Sequence, residues 1–184
     1  MDPSSQRAGD GPEERSKVVA ISGAELGGTG TAIPPRFERQ LRGAAQRRRG
    51  TEHPWVAVTR VNGVGEIRRR YGDPAAEEFL RSTASALRSS LRESDKLSPV
   101  GRGEYGIVLD APSGDDVLAG LERLVKQVRE LAGRDHRWRG GSLSVGVAPM
   151  WTDEPAEILE RARGALERAQ RRGGGQVMMA TSAR

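Results

Sequence analysis

Arg92 and Asp95 open the stretch RESDKLSPVGRGEYGIVL, residues 92–109, and five residues separate Asp95 from a Gly-Arg-Gly-Glu-Tyr run that begins at Gly101. Two β-prone runs, Lys96 to Val100 and Tyr105 to Leu109, flank that run, so its glycines suit the turn of a hairpin. A turn needs glycine. It does not need the Glu104 carboxylate at its tip, nor a guanidinium and a carboxylate three residues apart just ahead of the first strand. One account of Arg92 and Asp95 is a surface ion pair at a helix end, worth under ~1 kcal/mol. The other is a site.

Several chemistries are excluded by composition. The 184 residues contain no cysteine, which removes disulfides, thiolate metal centres and a cysteine nucleophile. The two histidines, His53 and His136, lie far apart in polar, loop-like settings and offer no zinc site. The net charge of +5 suits an anionic partner. That charge comes from arginines scattered through helical segments, and no zinc finger or RNA-binding aromatic motif accompanies it, so nucleic acid is not the expected partner. No apolar run approaches the ~20 residues that span a bilayer. The N-terminal MDPSSQRAGDGPEERSK lacks the apolar segment of a signal peptide. A cytoplasmic protein without a membrane partner is expected.

The elements that must position these residues follow from pattern. Residues 1–33 are rich in Gly, Ser, Pro and charge and predict a disordered arm. Residues 34–180 then form one domain, and 181–184 a tail. Phe37, Leu41, Ala44 and Ala45 mark an amphipathic helix between Pro35 and Arg49. WVAVTRV, residues 55–61, is β-branched and short, a strand. GEIRRRYG predicts a short helix ended by Gly72. Pro74 opens a longer one, with Phe79, Leu80, Ala84, Leu87 and Leu91 on one face. Val117, Leu118, Leu121, Leu124, Val125, Val128 and Leu131 form the clearest helical stripe. SLSVGVA, residues 142–148, is another strand. A helix capped by Thr152 or Asp153 follows, with Ile158, Leu159, Ala162, Leu166 and Ala169 inward. Gly173 to Gly175 end it, and QVMM is a last short strand. Strands interleaved with one-faced helices predict an α/β fold, an α+β sandwich with a sheet under helices.

From about Thr31 to Met179 the chain resembles the GGDEF domain of diguanylate cyclases, which join two GTP into cyclic di-GMP. The likeness rests on YGDPAAEEFLRSTASALRSSLRESD, VGRGEYGIVL, SLSVGVA and RARGALERAQRRGGGQV, taken in order and spacing. It implies a nucleotidyl-cyclase-like, mostly antiparallel central sheet flanked by helices. It also implies a role for particular positions. The family's first metal-binding Asp falls at Arg60 and its second metal carboxylate at Gly103. Its guanine-reading Asn falls at Arg68, and that residue's Asp partner at Glu77. The phosphate-binding Lys and Arg fall at Gln170 and Gly174, and Glu104 of the signature is retained. A divalent ion facing Arg60 would be repelled by several kcal/mol at intermediate dielectric (~20). The expectation from these positions is a degenerate cyclase, not an enzyme, with no Mg²⁺ or other cofactor.

Arg92 and Asp95 match an Arg-x-x-Asp motif that in many cyclases forms an inhibitory site for cyclic di-GMP, and ungapped counting places the family's third contributor at Arg123. The residue types suit that ligand. A guanidinium fork matches guanine O6 and N7, while the base's N1–H and N2–H₂ need a carboxylate. Arg47, Arg48 and Arg49 fall where the family sometimes supplies a further arginine from a neighbouring subunit. Exposed side chains in such a site would leave stability nearly unchanged when replaced. The resulting expectation is a cyclic di-GMP receptor that signals through an unidentified protein partner or a homodimer. Its rivals are a ligand-independent interaction scaffold and a GTP-binding pocket built on Arg60, Arg68 and Arg102.

Overall fold

The computed structural model describes residues 33–46, 54–152 and 154–181. Nearly all of the expected N-terminal arm, Arg47 to Arg49, His53, Asp153 and residues 182–184 lie outside the described residues.

The chain runs α1 (Pro35–Gln46), β1 (Trp55–Asn62), α2 (Val64–Ser90), β2 (Lys96–Gly101), β3 (Glu104–Leu109), α3 (Gly114–Arg134), a short 3-10 helix (His136–Trp138), β4 (Ser142–Pro149), α4 (Pro155–Arg171) and β5 (Val177–Met179). The five strands form one sheet in the order β2-β3-β1-β4-β5. All pairings are antiparallel except β4 with β5. The expected fold class is the one found.

Strand periodicity divides the core between the two faces of the sheet. Ala57 and Val61 of β1, with Ile107, Leu109, Leu143, Val145 and Val147, pack under α2 and α3. Val56 and Val58, with Val108 and Ala148, pack under α1 and α4. Val58 lies between Gly106 of β3 and Gly146 of β4 in the pairing register. Those two glycines let helices sit directly on the sheet. A Cβ on Gly106 would stand 2.3 Å from the Phe37 ring, and one on Gly146 would stand 2.1 Å from Ala162 O and Leu166 N of α4. Not every glycine is required in this way. Gly133, in the last turn of α3, has nothing within 4 Å of an added Cβ. Gly133→Ala is therefore expected to raise stability by about 0.5–1 kcal/mol through reduced backbone entropy, read as a higher melting midpoint.

The α2 segment is two helices joined at Gly72, whose φ of 83° and ψ of 172° break the spiral just ahead of Pro74. This is the interruption expected from the sequence. At the start of α3, Ser113 Oγ accepts from Asp116 N at 3.1 Å and its hydroxyl donates to the Asp116 carboxylate at 2.5 Å. The start of α4 differs from expectation. Thr152 Oγ1 accepts from Glu154 N at 3.2 Å, but Glu154 flanks the helix without a side-chain cap, and Pro155 begins it.

A polar clamp holds the 3-10 helix to α2. Arg137 donates from Nε to Asp135 Oδ2 at 2.9 Å and from NH2 to Glu78 Oε2 at 2.9 Å, and Asp135 Oδ1 also accepts Arg137 N at 2.9 Å. The side-chain bonds from Arg137 hold the Asp135 carboxyl below its ordinary 3.8, at about 2. A carboxyl depressed on folding contributes stability above its unfolded pKa and loses it as pH falls toward the folded value. Melting scans should therefore show acid destabilisation between about pH 4 and pH 2 that Asp135→Asn removes.

Candidate functional site

Two groups of charged side chains stand apart from the core. The first is at the end of the sheet on the α4 side. Arg60 and Glu104 are direct partners in the β1–β3 register. Arg60 donates from Nε to Glu104 Oε1 at 2.6 Å and from NH1 to Gln170 Oε1 of α4 at 3.0 Å. Nearby, Arg68 donates to Asp73 at 2.6 Å, and Arg102 to Glu77 at 2.8 Å. Arg68 also lies 3.9 Å from Glu77, with its NH2 buried and unbonded among the described residues. Gly103 adopts φ 72° at the hairpin tip, and its carbonyl accepts from Val61 N at 2.8 Å. Arg60, Arg68 and Arg102 thus each face a carboxylate, which leaves little unspent positive charge for a nucleotide triphosphate. The donor set does not fit a divalent cation either. Its one carboxylate on the sheet, Glu104, is already paired, and no group of three or more His, Asp or Glu among the described residues is placed to hold a metal.

The second group lines a cavity of about 630 Å³ between the end of α2, the turn into β2, the end of β3 and one face of α3. Arg92, Asp95 and Arg123 all line it. Local structure explains how they meet. Leu91, at φ −87° and ψ 147°, ends α2 and turns the chain outward. Asp95 N then donates to Arg92 O at 3.1 Å, closing the turn, and Asp95 Oδ2 accepts from Arg92 N at 2.9 Å. Asp95 Oδ1 accepts from Asp110 N at 3.3 Å, tying the turn to the end of β3. Arg123 comes from α3, whose opposite face carries the buried Leu121, Leu124, Val125 and Val128.

The surface ion pair weighed for Arg92 and Asp95 does not form. Asp95 takes the backbone N–H of Arg92 in place of its guanidinium. Among the described residues no acidic side chain pairs with the guanidinium of Arg92 or Arg123. The carboxylate is thus fixed by backbone, with lone pairs left over, while both cationic forks are uncommitted among the described residues. Stability is accordingly not indifferent to every residue here. Asp95→Ala should cost about 1–2 kcal/mol because two backbone donors lose their acceptor, measured by denaturant titration of the free protein.

Lys126 and Asp116 also line this cavity, and a smaller one of about 460 Å³ adjoins it. Arg92, Asp116, Arg123 and Lys126 border both. Lys126 lies three residues beyond Arg123 on α3, a spacing that places both on one face. In a chain with 30 lysines and arginines that spacing does not single it out; the cavity does. Asp110 carried no signal in its spacing, because its partner is set by tertiary pairing.

Comparison with known proteins places the fold and the family. The family model described as diguanylate cyclase, GGDEF domain, matches residues 31–176. Diguanylate cyclase TpbB of Pseudomonas aeruginosa is 30% identical over 150 residues, which is 79% of this chain and 34% of that protein. The chain therefore spans about a third of that relative's length. The crystal structure of the GGDEF domain of TpbB is 28% identical with a TM-score of 0.66, covering 84% of this chain and all of that one. The GGDEF domain of DgcB from Caulobacter crescentus, solved in complex with c-di-GMP, shares the fold at 22% identity, with a TM-score of 0.71 over 79% of this chain and 89% of that one. Diguanylate cyclase SiaD of Pseudomonas aeruginosa, solved with its activator SiaC, gives 27% identity and a TM-score of 0.70, covering 82% of this chain and 60% of that one.

These relatives correct one expectation. The expectation that the chain is not an enzyme rests on Arg60 and Gly103 in place of the metal carboxylates, with Arg68, Gln170 and Gly174 also departing from the pattern. A protein 30% identical over 150 residues is a diguanylate cyclase, which points toward an enzyme. Single positions read in isolation carried too much weight against a likeness that extends through the fold.

Proposed function

The chain belongs to the GGDEF family of diguanylate cyclase domains, and on that premise we propose that it binds cyclic di-GMP in the cavity lined by Arg92, Asp95 and Arg123 and serves as a receptor for that nucleotide. The observation that carries the reading is the convergence of two uncommitted guanidinium groups and one backbone-anchored carboxylate on a single cavity of about 630 Å³. A guanine needs that combination: a donor fork for O6 and N7, and acceptors for N1–H and N2–H₂. The ligand's phosphodiesters supply anionic charge for the cations of the lining. No step of this recognition calls for a divalent cation, so binding is independent of one. A protein partner or a second copy of the chain relays the signal.

The relatives also bring formation of cyclic di-GMP from GTP to this chain as an activity. It is tested separately, by following product from GTP and Mg²⁺. Product that scales with protein gives the chain the relatives' reaction beside the ligand proposed here.

Backbone amide resonances followed during titration with cyclic di-GMP test the site. Shifts are expected at residues 90–96, at Asp110 and along the Arg123 face of α3. Shifts confined to Arg60, Glu104 and Gln170 would place the nucleotide at the other end of the sheet and overturn the proposal.

A further inference from the structure

Resting on the reading above, we infer that Lys126 is the phosphate-holding cation of the cavity and sets how tightly a cyclic dinucleotide is retained there. Charge carries the argument. The larger cavity is lined by three basic side chains, Arg92, Arg123 and Lys126, against four acidic ones, Asp95, Asp110, Asp116 and Glu130. Its lining is therefore not cationic overall, although the ligand carries two phosphodiester charges. Without Lys126, two guanidinium groups face four carboxylates.

Arg92 and Arg123 have planar forks suited to base edges. Once those forks are engaged by guanine, the phosphodiesters need a cation that makes no demand on a base. A lysine ammonium is such a group, a compact point charge on a flexible stem. Lys126 borders both cavities, so its ammonium can reach a group at their junction. Among the described residues it is not committed elsewhere. Its acidic neighbour among the described residues is Glu130 at 3.9 Å, with the two side chains 76% and 56% exposed. A pair so long and so exposed contributes almost nothing to stability. The carboxylate of Asp116, by contrast, is already engaged by the Ser113 hydroxyl.

The test compares wild type, Lys126→Ala, Lys126→Arg and Arg92→Ala by calorimetric titration with cyclic di-GMP at low and high salt, alongside melting of each free protein. Lys126→Ala should bind about tenfold more weakly at low salt, the loss expected for one charge-assisted phosphate contact. The deficit should shrink at high salt, and Lys126→Arg should bind nearly as wild type, since it keeps the charge. The free variants should melt together. If Lys126→Ala binds as wild type while Arg92→Ala does not, the inference fails and the binding site stands. If wild type itself binds nothing, both fall.

Discussion

Arg92→Ala should weaken cyclic di-GMP binding by about a hundredfold, ~2–3 kcal/mol, because it removes the charge-assisted pair of donors to the guanine edge. The free protein should melt as wild type does, since the described residues hold no partner for the Arg92 guanidinium. That contrast separates a lost site from a lost fold. Arg92→Lys should rescue poorly, because an ammonium cannot present two parallel donors to O6 and N7. Asp95→Asn should also bind weakly, since its amide can place a donor against the guanine N–H groups. Unlike Arg92, Asp95 supports the fold through Arg92 N and Asp110 N. Its variants therefore need to be read at temperatures where they remain folded. Equal affinity of wild type and Arg92→Ala would remove Arg92 from the site.

Gly146→Ala should cost about 3 kcal/mol and lower the melting midpoint by roughly 10 °C. The added Cβ would meet two backbone atoms of α4 at 2.1 Å, and backbone cannot rotate out of the way as a side chain can. The helix must lift from β4, opening the packing of Ile158, Leu159, Ala162 and Leu166. Gly106→Ala presses instead on the Phe37 ring, which can tilt, so its cost should be smaller. A Gly146→Ala protein that melts with wild type would show that α4 approaches the sheet less closely than described.

Much of this arrangement was legible where local pattern and tertiary role coincide. Ile158, Leu159, Ala162, Leu166 and Ala169 recur at helical spacing, and all are buried in α4. The stripe on α3 was right in direction but too wide. Leu118 and Leu131 are only partly buried at its margins, because periodicity marks a face and not where the neighbouring element ends. In α2, Thr83 is buried in the row where Ala84 was expected, a one-residue rotation that a pattern of small side chains does not resolve. The motif spacing of Arg92, Asp95 and Arg123 was visible, and all three line one cavity. The bonds of Asp95 were not, since Asp110 comes alongside only when β2 and β3 pair. The link between Arg60 and Glu104 likewise depends on strand register across 44 residues. Lys126 was hidden for a different reason: in a chain with 30 lysines and arginines, one more cation stands out only when a cavity surrounds it.

The most direct test of the account is calorimetric titration of cyclic di-GMP into the wild-type chain with EDTA present. The account predicts saturable binding, micromolar or tighter, with the same affinity when Mg²⁺ replaces the chelator. No heat and no melting shift at excess nucleotide would contradict it, and the fold would then be an interaction scaffold without this ligand.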